Sequence, residues 1–116
     1  MKVILINPDI DVEKTTCRLG RFLTPILPMG IAYIAAVLEK NSIDVIVVDQ
    51  FAEKINGEKL IERIQNESPQ VIGFSCLTPA MDNIKSLIVQ IKKIKKDVHI
   101  ILGNIHATVF ADELLK

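Results

Sequence analysis

The sequence of 116 residues has few aromatic residues, few cysteines and no excess of charge. It contains no tryptophan, one tyrosine, four phenylalanines and two cysteines. A core must therefore be built from aliphatic side chains. Cys17 and Cys76 lie far apart, and a reduced, cytoplasmic chain explains them most simply. Fourteen basic and fourteen acidic residues give a net charge of zero, which argues against an electrostatic nucleic-acid binder.

Long apolar runs are also missing. No run approaches the roughly 20 residues that span a bilayer, so we expect no membrane segment. The N-terminal stretch lacks the long apolar region and small-residue cleavage site of a signal peptide, and we interpret it as a first strand. With 49% apolar and 24% charged residues, the composition is that of a globular protein, and the length predicts one domain over residues 1–116.

Four short apolar runs predict strands that are buried on both faces, as in a parallel sheet. These runs are 2–6, 45–48, 71–75 and 98–102. Helical spacing of apolar residues predicts helices that begin after Pro28, at Gly57, at Pro79 and at Ala107. Strands and helices that alternate in this way form a parallel sheet with right-handed crossovers. We therefore predict an α/β fold, a flavodoxin-like (Rossmann-like) three-layer sandwich with strand order 2-1-3-4.

Two of the predicted helices have a clear apolar face. In the first helix, the positions expected to point inward are Ile31, Ile34, Ala35 and Leu38. In the third helix, they are Ile84, Leu87, Ile88, Ile91 and Ile94.

The connection after the first strand is unusually long. Residues 8–27 show no clear element, whereas most strand-to-helix loops span about 2–6 residues, and long loops of this kind are usually functional. The segment lies at the carboxyl edge of the predicted sheet, where open α/β sheets bind ligands.

Three motifs next to predicted strand ends and helix starts resemble one family. Ser75-Cys76-Leu77 and Gly103 are separated by 25 residues, similar to the Ser-x-Leu and Gly-Gly pair of cobalamin-binding domains. Residues 28–38 resemble the Pro-x-Gly-Leu-x-Tyr-Leu-Ala-Ala-x-Leu signature of one branch. Residues 103–108, Gly-Asn-Ile-His-Ala-Thr, resemble its Gly-Gly-Pro-His-Ala-Thr. That branch is the N-terminal module of B12-binding radical SAM enzymes, including the anaerobic Mg-protoporphyrin ester cyclase type.

The resemblance implies cobalamin as the cofactor, with the corrin on the carboxyl rim and the nucleotide tail alongside the sheet. Ser75 would offer a hydroxyl beside the tail, and Gly103 would leave space for it. Gly73, inside a strand, indicates a further close approach. The residues implied to contact the cofactor are Leu27, Pro28, Gly30, Ser75, Leu77, Thr78, Gly103, Asn104, Ile105 and His106. Alternatively, Ser75 is a cap, Leu77 belongs to the core and Gly103 is an ordinary turn residue.

The sequence departs from the family pattern at two places. Many cobalamin domains carry Asp-x-His-x-x-Gly before the first helix, and the histidine binds cobalt. With Gly30 as that glycine, Pro25 and Leu27 stand at the aspartate and histidine positions, so we expect no protein histidine on cobalt, as is common in the radical SAM branch. Asn104 replaces the second glycine and adds bulk near the proposed tail site.

Other chemistry finds less support. His106 would touch the corrin or a substrate, or else brace a loop. The cysteines and histidines lack zinc-site spacing, so we expect no such metal site. A receiver domain would need an aspartate where Ser75 stands, and a dinucleotide-binding domain would need G-x-G-x-x-G after the first strand. A flavodoxin would need a short, hydroxyl-rich loop there. A module of the same fold that has lost its cofactor remains the alternative.

The C-x-x-x-C-x-x-C cluster motif is also missing, so we expect the chain alone to be catalytically inert. The 4Fe-4S cluster, S-adenosylmethionine and a small-molecule substrate would belong to a radical SAM domain of a longer parent. We also expect a fifth strand to be missing after the fourth helix. The apolar fourth strand would then be a sheet edge that invites pairing between two copies of the chain.

Overall fold

The four predicted strands form one parallel sheet in a computed structural model, which describes residues 1–10, 24 and 26–116. The sheet order is β2-β1-β3-β4, as the sequence predicts. The strands are β1 (Lys2–Asn7), β2 (Asp44–Asp49), β3 (Val71–Ser75) and β4 (His99–Gly103). The helices are α1 (Met29–Lys40), α2 (Gln50–Glu53), α3 (Gly57–Glu67), α4 (Met81–Ile94), α5 (Asn104–Val109) and α6 (Ala111–Leu114). A 3-10 turn, Thr78–Ala80, precedes α4.

Local capping explains where α3 begins and ends. The Asn56 side chain accepts a hydrogen bond of 2.9 Å from the backbone nitrogen of Lys59, which satisfies a free donor at the start of the helix. Ser68 ends the helix in the left-handed region, with φ 46°, and Pro69 follows. Proline cannot continue a helix, so the chain turns into β3.

The sheet has an apolar core on each face. On one face, α3 and α4 insert Leu60, Ile64, Ile84, Leu87 and Ile91 among buried side chains of the strands. On the other face, Ile31 and Ala35 of α1 pack on Val3 and Leu5 of β1. The predicted three layers are therefore present: α1 on one side of the sheet, α3 and α4 on the other.

Four local expectations were wrong. Ile34 is exposed at 53% and Ile94 at 42%, so neither belongs to the buried face of its helix. A short helix, α2, follows β2 directly. The last helical segment begins at Asn104 instead of Ala107 and is broken at Phe110 into α5 and α6. Ile34 is exposed because α1 leaves the sheet over β3 and β4 uncovered, as described below.

Most of the long segment 8–27, including Cys17, lies outside the described residues. Its start is held in place by a buried amide. Gln50 is 2% exposed, and its side-chain oxygen accepts from the backbone nitrogen of Asp9 at 3.1 Å and from Asn83 at 3.2 Å. Asn83 also donates to the carbonyl of Asp9 at 2.9 Å. The first residues after β1 are thus tied to α2 and α4.

Within the described ranges, no helix has both the length and the apolarity to cross a membrane. The same residues contain no group of three or more histidine, cysteine, aspartate or glutamate side chains that could hold a metal ion.

Candidate functional site

A cavity of about 480 Å³ lies at the carboxyl edge of the sheet. We call it the rim cavity. Its walls come from the end of β1, the residues before α1 and the end of β3. Six of the predicted site residues line it: Leu27, Pro28, Gly30, Ser75, Leu77 and Asn104. Leu77 is 44% exposed, so the alternative that placed it in the core is wrong.

A second cavity, of about 590 Å³, lies on the sheet face beside α1. We call it the sheet groove. Its floor is formed by alternate residues of β3 and β4, because side chains of one strand face point the same way at every second position. Gly73 stands beside Ile101 and Ser75 beside Gly103 in the strand register. Its wall on the helix side includes Ile34 and Leu38.

The sheet groove is open because α1 packs mainly on β2 and β1. Ile101 of β4 is 58% exposed, although it stands in the sheet at the level of Gly73. Apolar side chains that face an open groove favour an apolar ligand, since burying them removes their surface from water. The residues predicted to contact the cofactor did not include Ile34, Leu38 and Ile101, although Ile34 and Leu38 belong to the motif at residues 28–38. The alternation along β3 and β4 could have indicated Ile101, but only the position of α1 reveals the other two.

Gly73, Gly103 and Gly30 differ in how much room the described chain leaves for a side chain. A side chain at Gly103 would meet no atom nearer than the Phe74 carbonyl oxygen at 3.9 Å, and one at Gly30 would meet nothing within 4 Å. A side chain at Gly73 would come within 2.9 Å of the Leu5 side chain. A side chain at Gly73 would therefore have to displace the end of the Leu5 side chain, whereas Gly103 and Gly30 leave space that the described chain does not fill.

Ser75 and Asn104 are joined where the two cavities meet. The Asn104 amide nitrogen donates to the Ser75 hydroxyl oxygen at 2.9 Å, and both residues line the rim cavity and the sheet groove. Asn104 has φ 74°, in the left-handed region, which glycine adopts freely and asparagine tolerates better than most residues. The substitution of asparagine for the family glycine therefore keeps the backbone conformation and adds a hydrogen-bonding side chain.

Thr78 and His106 contact each other. The Thr78 hydroxyl and His106 Nδ1 lie 3.0 Å apart, and the His106 ring packs against Phe110 with ring centroids 4.6 Å apart. The backbone nitrogen of His106 also donates to the Cys76 carbonyl at 3.2 Å. Thr78, Ile105 and His106 line neither the rim cavity nor the sheet groove. These contacts favour a loop-bracing role for His106, and the cofactor contact predicted for these three residues stays a prediction.

Cys76 follows Ser75 but points away from the cavities. It is fully buried, and its sulfur lies 3.6 Å from the Phe74 carbonyl oxygen. Burial raises the pKa of the Cys76 thiol, which keeps it protonated and a poor nucleophile. The site therefore consists of an apolar groove, glycine positions that leave it open and one polar pair at its mouth.

A known protein family matches most of the chain. The model of the B12 binding domain matches residues 16–116. The chain belongs to the B12-binding domain family. The resemblance read from the serine, proline and glycine motifs is thereby confirmed, as is the predicted fold.

Curated relatives of this B12-binding domain are enzymes. It is 29% identical over 90 residues, or 77% of the chain, to an anaerobic magnesium-protoporphyrin IX monomethyl ester cyclase of Rubrivivax gelatinosus. It is 28% identical over 114 residues, or 98% of the chain, to an uncharacterized methyltransferase of Pyrococcus horikoshii. It is 26% identical over 127 aligned positions, or 94% of the chain, to a cytidylyl-2-hydroxyethylphosphonate methyltransferase of Streptomyces wedmorensis.

The chain spans only 16%, 24% and 23% of the lengths of these three relatives. No solved structure matches it significantly.

Proposed function

We propose that this domain binds cobalamin with the nucleotide tail in the sheet groove and the corrin over the rim cavity. The observation that carries the proposal is the glycine at position 103. It faces an open apolar groove, and neither its backbone conformation nor its packing requires glycine. A side chain at position 103 would occupy part of the groove, so we attribute the glycine to a ligand that fills this space.

The shape and chemistry of the groove fit the tail. Its floor and wall are almost wholly apolar, which suits an aromatic base, and its polar atoms are concentrated at the mouth, where Ser75 and Asn104 lie. Ser75 would contact the tail, Gly103 would admit it, and Leu27, Pro28, Gly30 and Leu77 would line the corrin side. Thr78, Ile105 and His106 would complete the contacts on the corrin side.

The domain would hold cobalamin without a histidine on cobalt. Leu27 stands at the position where histidine is expected, and it lines the rim cavity at 68% exposed. Its aliphatic side chain cannot coordinate a metal. The chain has two histidines, His99 on β4 and the Thr78-bonded His106, and neither lines the rim cavity.

In a longer parent, the domain would serve a radical SAM enzyme. Cobalamin supplies methyl transfer or one-electron chemistry when it is bound, and the named relatives are two methyltransferases and a cyclase. S-adenosylmethionine, a 4Fe-4S cluster and the small-molecule substrate would be held by a radical SAM domain of that parent. Met29, Tyr33 and Val37 expose an apolar face of α1. The chain spans at most 24% of these relatives, so a further domain of a similarly long parent would cover this face.

Titration of the isolated domain with hydroxocobalamin tests the proposal. We expect a saturable change in the visible spectrum of the cofactor at one equivalent of protein. A spectrum that stays that of free hydroxocobalamin at excess protein would contradict the proposal and favour the alternative, an interaction domain of the same fold that has lost its cofactor.

A further inference from the structure

We propose that Asn104 is a positioning residue that makes the Ser75 hydroxyl a hydrogen-bond donor toward the nucleotide tail. The inference rests on the proposed function, because it assigns a role to a residue that departs from the family pattern. Its basis is the direction of one hydrogen bond, which can be derived from the neighbouring atoms.

The orientation of the Asn104 amide is fixed by its own backbone surroundings. Its side-chain oxygen lies 2.7 Å from the backbone nitrogen of Ile105. A backbone N–H can only donate, so the atom that faces it must be the amide oxygen and cannot be the nitrogen. The amide nitrogen then faces Ser75, at 2.9 Å from its hydroxyl oxygen.

The direction of this bond decides what Ser75 can do. The amide nitrogen has hydrogens and no free lone pair, so it donates, and the Ser75 oxygen must accept. The hydroxyl hydrogen is therefore not used in the bond to Asn104. It also has no other acceptor among the residues that the structure describes. Because Ser75 lines both the rim cavity and the sheet groove, its hydrogen is available to an acceptor atom of a tail that passes between them.

The backbone at position 104 favours asparagine, and its contacts hold the side chain in this orientation. The backbone of Asn104 has φ 74°, a conformation that asparagine adopts more readily than other residues with a side chain. Its carbonyl accepts from the Thr108 hydroxyl at 3.1 Å. The backbone and both ends of the amide are thus fixed, and a glycine at this position would leave the Ser75 hydroxyl free to rotate.

Two ligands and four proteins test this role. Cobinamide has the corrin but lacks the nucleotide tail, so it reports on the rim alone. We expect Ser75→Ala to weaken cobalamin binding about tenfold and Asn104→Gly roughly fivefold, which is the scale of one hydrogen bond. In the double variant, Asn104→Gly should add nothing further to the loss from Ser75→Ala. Each of these substitutions should weaken the binding of cobalamin more than the binding of cobinamide, because the hydrogen bond in question goes to the tail.

Asn104→Asp is a second variant that keeps the size of the side chain. A carboxylate only accepts, so the Ser75 hydroxyl would turn its hydrogen toward it and away from the tail. We expect the loss of cobalamin affinity to be at least as large as that of Ser75→Ala. Asn56→Gly, an asparagine that caps α3 far from the groove, is the matched control and should leave the affinity for both ligands unchanged.

Three results would overturn the inference while leaving the proposed function in place. The first is tighter cobalamin binding by Asn104→Gly. The second is an effect of Asn104→Gly on cobalamin binding that is equally large in the Ser75→Ala background. The third is a loss of cobinamide binding as large as the loss of cobalamin binding. Failure of the unsubstituted domain to bind cobalamin would overturn the proposed function, and this inference with it. Glycine suits the backbone at position 104, so the melting curve of Asn104→Gly should match that of the unsubstituted domain.

Discussion

At the scale of single residues, Gly103 is the most informative position. Its backbone is extended, with φ −127°, and valine is favoured in strands. We therefore expect Gly103→Val to abolish cobalamin binding by filling the groove, while the melting temperature stays within about 5 °C. Gly57→Ala is the control, because the added methyl group would lie 3.6 Å from Leu87 in ordinary contact. Unchanged affinity in Gly103→Val would exclude the groove as the tail site.

The residue types at the site could be predicted from the sequence, but their relations could not. Ser75, Gly103 and Gly30 follow from the family motifs, because those motifs name residue types at set spacings. The bond from Asn104 to Ser75 depends on a positive φ at position 104 and on the meeting of two strand ends. Sequence reasoning treated Asn104 as added bulk, whereas the structure gives it a defined partner.

At the scale of elements, α4 provides a direct comparison between a buried and an exposed isoleucine. Ile91 is fully buried and Ile94 is 42% exposed, although both were predicted to face the core. We expect Ile91→Ala to lower the free energy of unfolding by about 3 kcal/mol, through lost burial and the cavity left behind. Ile94→Ala should cost less than about 1 kcal/mol.

Urea denaturation with linear extrapolation measures both free energies. Equal losses for the two variants would contradict the assignment of Ile91 to the core and Ile94 to the surface. The comparison is well matched because both substitutions remove the same atoms from the same helix.

Elements with local start and stop signals were predicted well. β3 matches its predicted range and α3 begins at the predicted Gly57, because Asn56 and the apolar run of β3 are local features. The exposed face of α1 and the break at Phe110 were missed. Helical periodicity shows which residues share a face, but only the tertiary arrangement shows that α1 leaves β3 and β4 uncovered.

At the scale of the whole molecule, β4 is a candidate for self-association. It pairs with β3 and with no other strand in the described part of the chain. Ile100 and Leu102 pack against the core that contains α3 and α4, while Ile101 is 58% exposed on the opposite face. Ala107 of α5 and Leu114 of α6 pack against the same core, so these helices leave the opposite face, with Ile101, open. An unpaired apolar strand edge is a template for pairing with another chain.

We expect the isolated domain to form dimers through β4 at micromolar concentration. Sedimentation equilibrium measures the mass directly, and a single monomer mass across that range would show the idea to be wrong. Ile101→Lys should shift the equilibrium toward monomer, because charge on an edge strand opposes pairing.

The central claim is that the sheet groove takes the nucleotide tail and that no protein side chain replaces it on cobalt. Electron paramagnetic resonance of the cob(II)alamin complex tests this most directly, since a nitrogen bound to cobalt splits the signal. With nitrogen-15 protein, we predict a spectrum without any axial nitrogen splitting. A triplet would show that the tail base is still on cobalt, and a doublet would show a protein histidine there. Either result would contradict the account.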